Sequence, residues 1–175
     1  MKTRIMLVAW VALIVVIAAT QGRHHSAGST ATQGSTPAAF ASPAASGGIV
    51  RSVLVGATPA SAPDQSLQLV RYVIQPGTVL PAHIHPGTQL AWIDSGELTY
   101  TVVRGQIRVE RSTADGTPGP AEWMKSGETT VLRPGDAVIE TEGNVHFGEN
   151  RGTEPLVILA ATLLEAGQPP SIVQE

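Results

Sequence analysis

Residues 77–96 read GTVLPAHIHPGTQLAWIDSG and include His83 and His85, two of the five histidines in the chain. Alternate side chains of an extended strand point to the same face, so imidazoles at these two positions can enter one cavity. Gln89 has the same parity. The spacing therefore predicts a cluster of polar side chains on one face of the chain.

Residues 135–150, GDAVIETEGNVHFGEN, supply a third histidine, His146, between a glycine-rich turn and a polar end. Imidazole nitrogens and an amide oxygen are ligands that divalent transition metals accept. We therefore predict a metal site formed by His83, His85, Gln89 and His146. Zn, Mn, Fe, Cu and Ni all suit imidazole-rich ligands, so the sequence does not choose among these metals.

The two stretches together resemble the two motifs of the cupin family. The first family pattern is Gly, five residues, His-x-His, three or four residues, Glu, six residues and Gly. This chain matches it at Gly77, His83, His85 and Gly96, with Gln89 in place of Glu. The second is Gly, five residues, Pro-x-Gly, two residues, His, three residues and Asn. This chain matches it at Gly135, Gly143, His146 and Asn150, with Thr141 in place of Pro.

The resemblance covers residues 49–165 and implies an all-β fold. That fold is a single cupin β-barrel, also described as a jelly roll or double-stranded β-helix. In this family similar sites with three His and one Glu support dioxygenases, oxalate-degrading enzymes, isomerases and lyases. Cupin barrels commonly pair through an outer sheet, so the resemblance also suggests a homodimer.

The missing carboxylate leaves the class of function open. Where a cupin uses its Glu as a proton acceptor, Gln89 cannot replace it, because an amide has no useful basicity. One hypothesis is a metal-dependent enzyme, dioxygenase-like or an isomerase or lyase, that acts on a small oxygenated or anionic molecule. The alternative is a non-catalytic cupin that binds a small ligand at the cell surface. A substitute base would have to be one of the nearby acidic residues, which are Asp94, Glu97, Glu140, Glu142 and Glu149.

Short apolar runs alternate with turn residues, which is typical of an all-β domain. Strands are predicted at residues 49–55, 67–74, 88–93, 98–103, 106–111, 129–132, 137–140 and 156–164. Residues 112–126, rich in Gly, Pro and Ala, are predicted to form a loop in which Trp123 and Met124 pack against the barrel. The motif glycines are expected in turns with positive φ, and Asn150 is expected to bond local backbone. The aromatic candidates for a pocket lining are Tyr72, Trp92, Tyr100 and Phe147.

The N-terminal residues predict export. Lys2 and Arg4 precede an uninterrupted apolar run over residues 5–19, so residues 1–20 are predicted as an apolar helix that is a signal peptide or an uncleaved membrane anchor. Fifteen apolar residues suit a signal peptide, whereas a membrane span needs about 20. In both cases the rest of the chain is predicted to be extracytoplasmic, either secreted or anchored. Residues 21–48 are predicted as a disordered Ser/Thr/Ala/Gly/Pro linker, 49–165 as the cupin domain and 166–175 as a tail.

Composition narrows the possible partners. The chain has 175 residues, a net charge of −3 and no basic patch, so nucleic acid is not expected as a partner. Cysteine is absent, which excludes disulfides, thiolate metal ligands and cysteine nucleophiles. A small-molecule ligand or substrate is the expected partner, with the membrane added if the N-terminal segment is not cleaved.

Overall fold

The structure, a computed structural model, describes residues 44–175, which contain thirteen β-strands and no helix. Within this range, therefore, no helix is long and apolar enough to cross a membrane. The strands are β1 (Ala44–Ser46), β2 (Ile49–Ala57), β3 (Gln65–Ile74), β4 (Val79–Ile84), β5 (Gly87–Ser95), β6 (Leu98–Arg104), β7 (Gln106–Ser112), β8 (Pro118–Lys125), β9 (Thr129–Leu132), β10 (Ala137–Glu140), β11 (Val145–Glu149), β12 (Leu156–Glu165) and β13 (Ile172–Val173). The predicted N-terminal apolar helix and most of the predicted linker lie outside the described residues.

The strands form two antiparallel sheets, so the predicted all-β fold is confirmed. An eight-stranded sheet has the order β1-β2-β3-β12-β5-β10-β7-β8, and a five-stranded sheet has the order β13-β4-β11-β6-β9. Side chains that alternate inward along the strands meet in one apolar core. The core includes Ile74, Ile93, Tyr100, Val102, Ile107, Val109, Leu132, Val138, Leu156 and Ile158.

Eight strands lie where the apolar alternation predicts them, with ends that differ by three residues or fewer. The predicted loop over 112–126 is wrong in part, because Pro118–Lys125 forms β8 and pairs with β7. Met124 is buried as expected, but Trp123 faces solvent with 56% of its surface exposed. Gly and Pro interrupt the apolar alternation of this segment, so the sequence pattern does not predict a strand there. An edge strand nevertheless tolerates both residues.

Short strands also occur in the segments assigned to linker and tail. β1 lies within residues 21–48 and pairs with β2, while β13 lies within residues 166–175 and pairs with β4. These strands are two or three residues long, so they carry no periodicity that a sequence search could detect.

The motif glycines and Asn150 do the structural work expected of them. Gly77, Gly96, Gly135 and Gly143 all have positive φ, between 75° and 91°. At Gly96 a Cβ would also lie 2.8 Å from the Cα of Leu156, so a larger residue would collide with backbone. Asn150 is buried and its Nδ2 donates to the carbonyls of Ile74 and Glu154, both at 2.9 Å. It thereby joins the end of β11 to the end of β3.

Candidate metal centre

The three predicted histidines come together between the sheets. His83 on β4 lies directly opposite His146 on β11, and His85 follows the last residue of β4. One ring nitrogen from each of the three lies within 4.8 Å of the others. The ring centroids of His83 and His146 are 4.4 Å apart, and those of His83 and His85 are 4.9 Å apart. The predicted clustering of these three imidazoles is confirmed.

Two of these rings are oriented by backbone carbonyls. Nδ1 of His83 lies 2.7 Å from the carbonyl oxygen of Pro81, and Nδ1 of His85 lies 2.7 Å from that of Pro170. A carbonyl only accepts, so each Nδ1 carries the proton and donates it. In the neutral rings each Nε2 then presents a lone pair, which is the arrangement that fixes a histidine for metal binding.

A carboxylate that occupies no specified position of either motif lies beside the histidines. Glu140, at the end of β10, has Oε2 3.2 Å from Nε2 of His85 and Oε1 3.1 Å from Nε2 of His146. It is 4% exposed. Asp94, Glu97 and Glu142, which were alternative candidates, are exposed.

Gln89 and Glu140 are directly opposite each other on β5 and β10. Nε2 of Gln89 donates to Oε2 of Glu140 at 2.7 Å and also lies 3.2 Å from Nε2 of His85. Its Oε1 is buried and has no hydrogen-bond partner among the described residues. The structure therefore puts Gln89 in the cluster, while direct ligation through Oε1 stays a prediction.

Tyr100 on β6 supports the carboxylate from the other side. Its Oη donates to Oε1 of Glu140 at 3.0 Å, and its ring stacks on that of His146 with centroids 5.3 Å apart. Burial and the Glu140 charge hold the pKa of Tyr100 well above its usual value, so the phenol keeps its proton. Glu140 thus accepts hydrogen bonds from a phenol and an amide in addition to its contacts with two imidazoles.

The protonation states follow from burial and charge. Burial and, to a smaller extent, the nearby His146 and His85 lower the pKa of His83 to about 4, so this ring is neutral at pH 7. Burial also lowers the pKa of His85, but the hydrogen bond and charge of Glu140 outweigh it and raise the pKa above 6.5. Burial raises the pKa of Glu140, yet the charges and hydrogen bonds of His146, His85 and Gln89 bring it below its usual range. The cluster therefore holds an ionised carboxylate beside a neutral His83, and the carboxylate favours the protonated form of His85.

The donor atoms fit a metal ion. Two ligands about 2.1 Å from an ion, separated by an angle between octahedral and tetrahedral values, lie about 3.0 to 3.4 Å from each other. Oε2 of Glu140 lies 3.2 Å from Nε2 of His85 and Oε1 lies 3.1 Å from Nε2 of His146, so each oxygen has such a separation from one imidazole. The three imidazoles, whose nitrogens lie within 4.8 Å of one another, suit Zn, Mn, Fe, Cu or Ni.

The model of the family described as Cupin matches residues 47–168. The chain belongs to the cupin family. No curated protein sequence matches it at a significant level. The match includes β2 to β12 and the cluster residues His83, His85, Gln89, Glu140 and His146.

Solved cupin structures are similar in fold at low sequence identity. KdgF from Halomonas sp. is 19% identical with a TM-score of 0.45, over 65% of this chain and 79% of that one. A Bacillus subtilis oxalate decarboxylase with Mn(II) centres is 20% identical (TM-score 0.46; 75% and 29% covered). DMSP lyase DddQ from Ruegeria pomeroyi DSS-3 is 17% identical (TM-score 0.49; 72% and 51% covered). This cupin thus spans less than a third of the decarboxylase chain and about half of the lyase chain.

The residues of the metal cluster line part of a cavity of about 350 Å³ between the sheets. Its walls are mostly apolar, and Tyr72 and Tyr100 both line it, whereas Trp92 and Phe147 do not. Trp92 points outward and is 42% exposed. The volume is near the lower limit of ligand pockets, about 300 to 1,000 Å³, so the cavity suits a small molecule. The residues that line it are Ile49, Arg51, Tyr72, Ile74, Leu80, Pro81, His83, His85, Gln89, Ala91, Ile93, Leu98, Tyr100, Leu132, Val138, Glu140, His146, Gly148, Ile158, Pro170, Ser171 and Val173.

Proposed function

We propose that this cupin is a metal-dependent enzyme that acts on a small oxygenated or anionic molecule. His83, His85 and His146 supply three imidazole ligands, and Glu140 supplies the anionic ligand that the first motif lacks. Gln89 offers Oε1 as a further neutral donor and orients Glu140 through Nε2. The observation that carries the proposal is the buried Glu140 carboxylate, 3.1 to 3.2 Å from two of the imidazoles.

The carboxylate changes the balance between the two functional classes. A site with three His and a neutral Gln favours ligand binding without turnover, because it lacks a group that accepts protons. Glu140 supplies the negative charge that the first motif lacks, and Tyr100 donates a hydrogen bond to it at 3.0 Å. Because its pKa is held below its usual range, Glu140 stays ionised and serves as an anionic ligand, which is the charge that cupin enzymes with three His and one Glu have at their sites.

A bound divalent ion would polarise a carbonyl or carboxylate oxygen of the substrate as a Lewis acid. The protein contributes the surroundings. Apolar side chains surround the site, and the carbonyls of Pro81 and Pro170 orient the rings of His83 and His85. The alternative function is a non-catalytic cupin that binds a small ligand at the cell surface, which the apolar cavity would also allow.

Metal content is the first expected result to check. The purified chain should carry about one ion per chain by elemental analysis, and the His83→Ala/His85→Ala double variant should carry none, because two imidazoles are lost. A matched His24→Ala/His25→Ala variant removes the same number of imidazoles outside the cluster and should keep the ion. A parent that takes up no metal after reconstitution would refute the proposed site.

Turnover separates the two functional classes. The metal-loaded parent is assayed for oxygen uptake and for conversion of diketones, flavonols and organic acids, beside the double variant. Product formation that depends on His83 and His85 supports the enzyme. Stoichiometric binding of these compounds without product would support the non-catalytic alternative instead.

We also propose that the chain is exported, as a secreted or membrane-anchored protein. The support is the sequence alone, in which Lys2 and Arg4 precede an apolar run over residues 5–19. Cell fractionation with N-terminal sequencing tests this. Recovery from the cytoplasm with an intact N-terminus would contradict it.

We further propose that two copies pair through the outer face of the eight-stranded sheet. A row of apolar side chains crosses this face, since Val55 pairs with Leu69, Leu69 with Ala161, and Ala161 with Leu90. Of these, Val55, Leu69 and Leu90 are exposed by 39 to 60%. A two-fold axis would bring the same row of each copy together, which buries it.

Light scattering is expected to give twice the chain mass for the parent. A Leu69→Lys/Leu90→Lys variant should be monomeric, because it would bury four charges at the proposed interface. The control is Val103→Lys on the five-stranded sheet, where Val103 is 46% exposed, and it should stay dimeric. A monomeric parent would overturn the proposed pairing.

A further inference from the structure

A single cationic side chain shares the apolar cavity with the metal cluster. Arg51 on β2 lies directly opposite Tyr72 on β3. Its Nε donates to Oη of Tyr72 at 3.3 Å, and its Nη2 donates to Oε1 of Gln68 at 2.8 Å. No other Lys or Arg lines the cavity within the part of the chain that the structure describes.

Arg51 is held in place by neutral groups only. Its guanidinium lies 5.9 Å from the ring centroid of Tyr72, in addition to the two hydrogen bonds. The other arginines that the structure pairs with carboxylates, such as Arg111 with Asp136, lie outside the cavity. No carboxylate of residues 44–175 forms an ion pair with Arg51. A part-buried guanidinium without a counter-charge, next to an apolar cavity, favours an anionic ligand.

The cavity thus has two polar parts and apolar walls. The polar groups are the metal cluster with Glu140 and the guanidinium of Arg51, and the walls include Ile74, Leu98 and Val138. Glu140 is the one carboxylate that lines the cavity within the described residues, and it is engaged by two imidazoles. Glu140 is thus engaged by the groups of the cluster, whereas no carboxylate among the described residues pairs with Arg51.

We propose that Arg51 binds the carboxylate of the substrate and so selects a small organic acid with an apolar body. The proposal rests on the proposed function in one respect, because a second oxygen group of that acid would face the metal. The part of the inference that concerns Arg51 needs no metal. A planar guanidinium can donate two parallel hydrogen bonds to a carboxylate, which a lysine at the same place cannot do.

The test compares a carboxylate with its neutral analogue. Hexanoate and hexanamide have nearly the same shape, and their binding to the full chain is measured by calorimetry, with the metal loaded and with the metal removed by chelation. The variants are Arg51→Gln, Arg51→Lys and, as a matched control, Arg104→Gln, which removes the same charge from an exposed residue outside the cavity.

The parent is expected to bind hexanoate about tenfold more tightly than hexanamide in the metal-free form. Arg51→Gln should lose this preference, Arg51→Lys should keep part of it, and Arg104→Gln should keep all of it. A preference that is unchanged in Arg51→Gln would overturn the proposal, and so would a parent that binds neither compound. If the chain binds no metal at all, elemental analysis will show it. The comparison of hexanoate with hexanamide binding in the metal-free form would still test the role of Arg51.

Discussion

The Glu140→Gln variant is expected to bind Zn(II) about 100-fold more weakly than the parent, and a Gln89→Glu/Glu140→Gln double variant to recover most of that loss. The two residues are opposite each other across β5 and β10, and Nε2 of Gln89 is 2.7 Å from Oε2 of Glu140. The double variant therefore moves the carboxylate to the other end of one hydrogen bond. It keeps one amide, one carboxylate and the same side-chain lengths in the cluster.

The physical reason is the charge inside a buried site. In Glu140→Gln, three imidazoles and two amides would face the ion without any negative charge to offset it. The double variant restores that charge at position 89, where the family motif has its carboxylate. Zinc affinity is measured by competition with a chromophoric chelator, and thermal unfolding of each metal-free variant shows whether it is folded.

The single variant Gln89→Glu is the informative control. It would place two carboxylates in direct contact, and like charges at this distance keep one of them protonated. We expect the metal-free variant to unfold at a lower temperature than the parent, and zinc to raise that temperature more than it does in the parent. Equal zinc affinity for the parent and Glu140→Gln would mean that Glu140 is not a ligand.

The positions of Gln89 and Glu140 also explain why the sequence predicts the three histidines of the cluster and does not predict the role of Glu140. Two histidines at i and i+2 and a third one in a second motif are local patterns, and they identified three members of the cluster. Glu140 lies 51 positions from Gln89 and is one of the five unspecified residues between Gly135 and Thr141 of the second motif. Its inward direction is set by the pairing of β10 with β5, which the sequence does not reveal. A carboxylate at an inward parity position of the second motif, seen beside a missing Glu in the first, is the signal that would have found it.

The fold was predictable to the extent that strands are long and alternate. β3, β5 and β12 show this alternation over nine or ten residues. β4 and β11, which carry His83 and His146, are short and contain Pro, Gly or His in place of an apolar repeat. Their strand structure is imposed by neighbours in the five-stranded sheet, so it is a property of the tertiary fold and not of local propensity.

Removal of residues 169–175 is expected to weaken Zn(II) binding by about 10- to 100-fold. This segment carries the carbonyl of Pro170, which accepts the Nδ1 proton of His85 at 2.7 Å. Two contacts hold this segment beside the site. β13 pairs with β4, and the backbone N–H of Gln174 donates to the carbonyl of Ala82 at 2.8 Å. Pro170, Ser171 and Val173 also line the cavity.

Two effects on His85 produce the expected loss. Without the Pro170 carbonyl either ring nitrogen of His85 can carry the proton, so part of the population presents no lone pair at Nε2. The ring also becomes open to water on the side that the segment covers. His83 keeps its bond to Pro81, because that carbonyl belongs to β4 itself. The truncated chain should therefore lose the slowly exchanging Nδ1 proton resonance of His85 and retain that of His83.

A milder variant separates the hydrogen bond from the covering of the cavity. Ile172→Ala/Val173→Ala shortens two side chains of β13 but leaves the Pro170 carbonyl and the backbone pairing in place. It should bind zinc nearly as well as the parent while it admits larger ligands to the cavity. If the truncated chain stays folded and binds zinc like the parent, the Pro170 contact does not orient His85. The segment then serves only as a wall of the cavity, and the imidazole is positioned by Glu140 and Gln89 alone.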